Sequence, residues 1–108
     1  TEHIFWLTKG KPNVYRKQVL KEFQSNIWTI LPKKRGEGKP DHPAPFPITI
    51  PEQCILLSTQ PGDLVLDPFL GSGTTGLAAR QLRRSFIGIE LNEEYYESAK
   101  KTIYKNQV

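Results

Sequence analysis

The stretch Asp63-Leu64-Val65-Leu66-Asp67-Pro68-Phe69-Leu70-Gly71-Ser72-Gly73-Thr74-Thr75-Gly76 constrains this chain more than any other. Leu64 to Leu66 reads as a buried strand, Gly71 and Gly73 sit in a turn, and a helix starts at about Thr74. Glycine reaches positive φ without a Cβ penalty and lets the backbone come close to a ligand. The N–H groups that open the following helix lack intrahelical acceptors, so they suit an anionic group. Roughly 20 residues beyond Gly71, the separation known from nucleotide-binding βαβ units, a second apolar run from Ser85 ends in Glu90. A carboxylate there can accept hydrogen bonds from ribose hydroxyls. Strand, helix, strand and helix in this order imply a parallel right-handed crossover, hence an α/β fold. These residues predict a site for a nucleoside-bearing cofactor.

The rest of the sequence bounds that expectation. A chain of 108 residues holds one domain at most, with a modest core. It has no apolar run long enough to span a membrane and no signal-peptide pattern. Cys54, the single cysteine, excludes an internal disulfide and a Cys-rich metal site, and is consistent with a reducing cytoplasm. There is no methionine, and Thr1 opens on residues patterned like the interior of a strand. The expectation is a piece of a longer protein or half of a split one.

Charge divides the chain. Residues 1–40 carry nine Lys/Arg against three Asp/Glu, a net +6, whereas residues 41–108 carry six against eight, a net −2. A basic segment beside a neutral-to-acidic cofactor part suits an anionic polymer such as DNA, with Lys33, Lys34 and Arg35 as candidate phosphate contacts. The competing reading makes those three a solvated loop.

Taken in order, His3-Ile4-Phe5-Trp6-Leu7 predicts a strand, residues 9–13 a loop, and residues 14–24 a short amphipathic helix built on Val14, Val19, Leu20 and Phe23. Ile27 to Leu31 predicts another strand, with Trp28 in the core. Residues 32–47 hold five prolines and two glycines and form a linker. A helix follows, with Thr49 and Glu52 as a capping box, Pro51 in its first turn, Ile55 and Leu56 on its apolar face and Cys54 as a small buried residue. The helix from Thr74 ends near Leu82, where Arg83 and Arg84 suit its dipole. Phe86 to Ile89 has the character of a parallel strand buried on both faces. Asn92 caps a last helix whose core face is Tyr96, Ala99 and Ile103.

Gly71-Ser72-Gly73-Thr74-Thr75-Gly76 formally matches G-x-G-x-x-G. Dinucleotide binding is disfavoured because Asp67-Pro68-Phe69-Leu70 separates the strand from the first glycine. A phosphate-binding Walker loop would need a lysine after the glycines. The longer motif is more specific. Asp67 to Thr75, followed by Ile87-Gly88-Ile89-Glu90, resembles the S-adenosylmethionine site of the amino-group DNA methyltransferases. His42-Pro43-Ala44-Pro45-Phe46-Pro47 resembles the segment that precedes this site in the circularly permuted β-type members.

The resemblance implies a partial Rossmann-like methyltransferase fold, a parallel sheet with flanking helices, divided into a basic segment (1–40) and a cofactor-binding βαβ part (41–108). Asp67 and Pro68, which open the matched motif, are implied cofactor-binding residues. Phe69, Leu70, Gly71, Ser72 and Gly73 would wrap the methionine part of S-adenosylmethionine, Thr74 and Thr75 would hold its carboxylate, and Glu90 the ribose hydroxyls. His42, Pro43, Ala44 and Phe46 would close over it. The family's Asp/Asn/Ser-Pro-Pro-aromatic tetrapeptide, which engages the flipped base, occurs nowhere in the 108 residues. The implied function is methylation of an exocyclic amine of adenine or cytosine in DNA, this chain being the cofactor-binding part and inactive alone. Its implied partners are DNA and the missing catalytic part or a second chain; homo-oligomerisation is compatible. The alternative is a non-catalytic S-adenosylmethionine-binding module that assists a partner. Ring-carbon methylation is disfavoured, because Cys54 follows Gln53 on a core helix rather than a proline.

Overall fold

A computed structural model describes residues 3–15, 17, 19–30 and 47–104. Regular structure concentrates in the second half: helix α1 (Thr49–Ser58), strand β1 (Leu64–Asp67), helix α2 (Thr74–Gln81), strand β2 (Ser85–Gly88) and helix α3 (Glu93–Tyr104). Among the described residues β1 and β2 form a two-stranded parallel sheet, with Leu64 opposite Ser85 and Asp67 opposite Gly88. The ladder runs past the strands at both ends. Ser85 N–H donates to Asp63 O at 2.8 Å, Ile89 N–H to Asp67 O at 2.9 Å, and Leu70 N–H to Ile89 O at 2.9 Å. The turn after β1 is thereby fastened to the residues that lead into Glu90.

The period of two along each strand sorts its side chains by face. Val65 and Phe86 pack against Ile55, Ala78 and Ala79 on one side, and Phe86 also meets Leu70, Ala99 and Ile103. Small residues let the layers approach. A Cβ on Gly76 would lie 2.5 Å from Ile103 Cδ1 and 2.6 Å from Phe86 Cε1. The opposite face departs from the expected burial on both faces: Leu64, Leu66, Ile87 and Ile89 are all exposed. Parallel sheets are ordinarily covered on both sides, and no described element covers this one.

Helix ends depart from expectation in instructive ways. The Thr49–Glu52 capping box does not form. Ile48 is the N-cap and makes no side-chain bond, while Ile50 N–H donates to Pro47 O and Glu52 N–H to Ile48 O. Thr49 is already inside the helix, so its hydroxyl is misplaced for capping. Asn92 does cap α3, its Oδ1 accepting the Tyr95 N–H at 3.1 Å. Helix α2 closes in a Schellman motif, with Arg83 N–H to Arg80 O and Arg84 N–H to Ala79 O. Arg83 takes the left-handed position at φ 64°, a place glycine usually fills.

Arg84 is buried, which a simple helix-dipole role does not explain. Its Nε donates to Thr59 Oγ1 and its Nη2 to Thr59 O, both at 2.9 Å, and its Nη1 donates to Leu82 O at 2.7 Å. The guanidinium thus joins the end of α1 to the end of α2. Tyr96 leaves the expected core face: it is exposed beneath the Lys100 ammonium, while Ala99 and Ile103 are buried.

The first half forms less structure than its apolar runs predict. Residues 3–7 make no strand, and Ile4, Phe5, Trp6 and Leu7 are exposed. Residues 27–30 make no strand either, and Leu31 lies outside the described residues. A strand is defined by its neighbour, and neither run has one among the described residues. In place of the helix expected over 14–24 the described residues hold short 3-10 structure, at Lys17 and in the turn Lys21–Phe23. Val19 and Phe23 are buried, and the half-buried Trp28 meets Phe23 edge-on while donating its Nε1–H to Phe23 O at 3.0 Å. One turn's worth of apolar spacing does not repay helix nucleation.

Candidate functional site

Asp67 begins the site. Its Oδ1 accepts the Phe69 N–H at 3.0 Å, a local turn that redirects the chain off β1. Leu70 then drops into the core beside Ala99 and Ile103, while Phe69 stays 88 % exposed. Gly71 and Gly73 adopt φ 57° and 93°, as the sequence predicts. Their surroundings differ. A Cβ on Gly71 would meet nothing within 4 Å, so this glycine borders open space. A Cβ on Gly73 would come within 3.0 Å of the Ala99 backbone. Gly73 is therefore fixed by both its φ and its close approach to α3.

Helix α2 starts immediately after Gly73. Its first backbone acceptor is Gly73 O, which takes the Leu77 N–H at 2.9 Å. The N–H groups of Thr74, Thr75 and Gly76 have no intrahelical acceptors, which gives the turn the partial positive end of a helix. Ser72 Oγ and Thr74 Oγ1 are 3.3 Å apart, a hydroxyl pair at the same place. Thr74 is buried and Thr75 half-buried.

Glu90 arrives from the other strand. Its Oε1 accepts the Gly71 N–H at 2.8 Å, and its Oε2 accepts the Asn92 N–H at 2.8 Å. The structure therefore brings together Asp67 to Thr75 and Glu90, residues up to 23 apart in sequence, around the carboxyl ends of two parallel strands. That is where ligands bind in open α/β sheets. Leu91, beside Glu90, is fully exposed. The sequence reading omitted it, although an apolar residue directly after an acid at a strand end is a detectable signal. It also read Asn92 as a cap alone, missing its amide contact with Glu90. His42, Pro43, Ala44 and Phe46, and the basic residues Lys33, Lys34 and Arg35, lie outside the described residues.

Cys54 is half-buried and lines an apolar groove between α1 and β1 with Ile50, Ser58, Leu64 and Leu66. Burial pushes its thiol above the ordinary range, which disfavours the thiolate a nucleophile needs. Among the described residues no helix is long and apolar enough to cross a membrane.

A turn with two left-handed glycines, a helix start and a strand-end carboxylate together make a candidate ligand site at the end of an α/β unit, and comparison with known proteins makes the class specific. The family described as DNA methylase, of the N6/N4 type, matches residues 1–101, and the chain belongs to that family. The type II methyltransferase M2.LlaDCHI of Lactococcus lactis subsp. cremoris is 41 % identical over 97 % of this chain and 42 % of its own length. M.SmaI of Serratia marcescens is 40 % identical over 98 % of this chain and 39 % of its own. Among solved structures, the complex of M1.HpyAVI with SAM aligns at a TM-score of 0.61 and 49 % identity, covering 68 % of this chain and 36 % of that one. The cytosine-N4-specific PvuII DNA methyltransferase aligns at 0.73 and 32 % identity, covering 90 % and 38 %. The chain spans about two fifths of the length of these curated relatives.

Proposed function

We propose that this chain is the S-adenosylmethionine-binding part of a DNA methyltransferase that methylates an exocyclic amine of adenine or cytosine. The observation that carries the proposal is the meeting of the Gly71 turn with the Glu90 carboxylate, 2.8 Å apart, at the start of α2. The open space beside Gly71 and the N–H groups of the helix start fit a nucleoside that also bears a carboxylate. In this reading Phe69 to Gly73 wrap the amino-acid end, Thr74 and Thr75 hold its carboxylate, Glu90 takes the ribose hydroxyls, and Leu91 offers an apolar surface to the adenine. His42, Pro43, Ala44 and Phe46 close over the cofactor. Bound there, the cofactor would supply an electrophilic methyl group. This chain's residues bind and orient it.

The residues that receive the base are assigned to another part of the enzyme, because the Asp/Asn/Ser-Pro-Pro-aromatic tetrapeptide does not occur among the 108 residues. The remaining polypeptide, contiguous or separate, is the proposed partner, together with DNA contacted through Lys33, Lys34 and Arg35 in a cytoplasmic, restriction-modification setting. The exposed apolar face of the sheet supports such a partner, since it leaves Leu64, Leu66 and Ile87 in water. The same missing tetrapeptide favours one alternative, a non-catalytic S-adenosylmethionine-binding module that assists a partner chain.

Calorimetric titration tests the binding claim: S-adenosylmethionine binds and a nicotinamide dinucleotide does not. The reverse result would sink the proposal. Glu90→Ala weakens binding by about 1–3 kcal/mol, the range for a hydrogen-bonded charge. Methyl transfer to DNA by this chain alone is expected to be negligible, and robust turnover would refute the assignment of catalysis elsewhere. Activity restored by adding the remaining part of a related methyltransferase distinguishes the enzyme reading from the module reading.

A further inference from the structure

Glu90 has two hydrogen-bond partners within the chain. Gly71, which donates to Oε1, belongs to the turn after β1; Asn92, which donates to Oε2, is the N-cap of α3. One carboxylate therefore ties the glycine turn to the start of the helix that follows β2. The neighbouring residues have holds of their own. Leu70 donates to Ile89 O and is packed in the core, and Gly73 donates to Leu70 O at 3.2 Å and is pressed against Ala99. Gly71 has no such packing, because open space lies where its Cβ would be. A glycine in open space has many accessible conformations. The charge-assisted bond from its N–H to Glu90 selects one of them.

We propose that Glu90 is a positioning residue for the Gly71 turn in addition to a contact for ribose. The proposal rests on the reading of this turn as the cofactor cradle. Each carboxylate oxygen can accept more than one hydrogen bond. One acceptor site on each oxygen thus remains for a vicinal diol while the two amides stay in place. The two roles respond differently to the ligand. A Glu90 that only contacts ribose matters to nucleosides that carry the diol. A Glu90 that shapes the turn matters equally to nucleosides that lack it. Glutamine is the discriminating substitution: it keeps the length but presents an NH₂ where the second backbone N–H requires an acceptor.

The experiment compares the wild-type chain with Glu90→Gln, using S-adenosylmethionine and its 2′,3′-dideoxy analogue, and adds amide hydrogen exchange without ligand. Exchange at Gly71 and Asn92 is expected to rise on the order of tenfold in the variant, as for loss of a charge-assisted bond. Exchange at Ala78 and Ala79 in the core should be unchanged. Affinity for the dideoxy analogue is expected to fall by about fivefold, although that analogue has no hydroxyls for Glu90 to hold. Unchanged Gly71 exchange overturns the positioning role, and so does an unchanged dideoxy affinity. If Ala78 and Ala79 also lose protection, the variant has unfolded globally. Glu90→Asp then takes its place, since a carboxylate one methylene shorter cannot reach both amides, and the same two measurements decide. If the wild type binds neither compound, the cradle reading fails, while the exchange measurement still judges the link between Glu90 and Gly71.

Discussion

Between Pro47 and Tyr104 the helices and strands find packing partners within the same stretch, whereas between His3 and Ile30 the described residues hold only 3-10 structure, at Lys17 and at Lys21–Phe23, and no strand. The two regions do not differ in apolar content alone. Ile4-Phe5-Trp6-Leu7 is at least as apolar as Leu64-Val65-Leu66, yet the first run is exposed and unpaired and the second is a strand. What differs is the availability of a partner. Leu64 to Asp67 has Ser85 to Gly88 at its side, delivered by a helix of the right length between them. Residues 3–7 have no such neighbour among the described residues. Apolar sequence proposes a strand, and a second strand has to complete it.

The contrast can be broken by substitution. Gly73→Ala is expected to have the largest effect, a loss of about 2–4 kcal/mol, because it combines a left-handed φ with a contact against the Ala99 backbone. The midpoint of urea unfolding reads it directly, and a loss below about 1 kcal/mol would mean that α3 is not held against the turn. Arg84→Ala should remove about 1–3 kcal/mol by leaving Thr59 O and Leu82 O without their guanidinium donor. Arg84→Lys should fail to restore it, since an ammonium cannot span those acceptors as a planar fork does. Wild-type stability in the lysine variant would remove Arg84 as the link between α1 and α2.

Smaller changes sharpen the contrast. Arg83→Gly should stabilise the chain by about 0.5–1 kcal/mol by relieving a side chain at φ 64°. A destabilisation would show that the Arg83 side chain makes a contact worth more than its strain. Phe5→Ser, in the exposed run of the first half, should shift stability by less than about 0.5 kcal/mol. A larger loss would reveal packing that erases the difference between the two regions. The Cys54 thiol gives a pH-dependent check. Burial raises its folded value, so at high pH the unfolded chain loses the proton first. Stability from this site is complete below the unfolded thiol's ordinary range and declines as pH rises through the raised folded value. In Cys54→Ala that part of the alkaline decline should disappear.

Much of the second half was legible in the sequence. The strand–turn–helix, the two left-handed glycines, the Asn92 cap and the acid at position 90 each follow from local rules on φ, capping and the spacing of apolar residues. The Thr49–Glu52 capping box was misjudged because the same residues suit a first-turn position as well as a cap, and only the path of the chain from Pro47 chooses between them. Tyr96 was misjudged because its spacing matches Ala99 and Ile103, yet it lies exposed beneath Lys100 while Ala99 sits against Gly73, a difference that spacing alone does not encode.

Sequence by itself determined that the stretch 63–90 holds a turn with left-handed glycines, a helix start directly after it and a carboxylate at its end. Those features are set within a few residues by steric and hydrogen-bonding limits that need no distant partner. Tertiary structure alone decided which groups face one another: Glu90 with the amides of Gly71 and Asn92, Arg84 with Thr59, Ala99 beneath Gly73. It also left the run at Ile4 without a strand neighbour among the described residues. These outcomes depend on contacts between segments far apart in the chain, and no local preference encodes the distance between them.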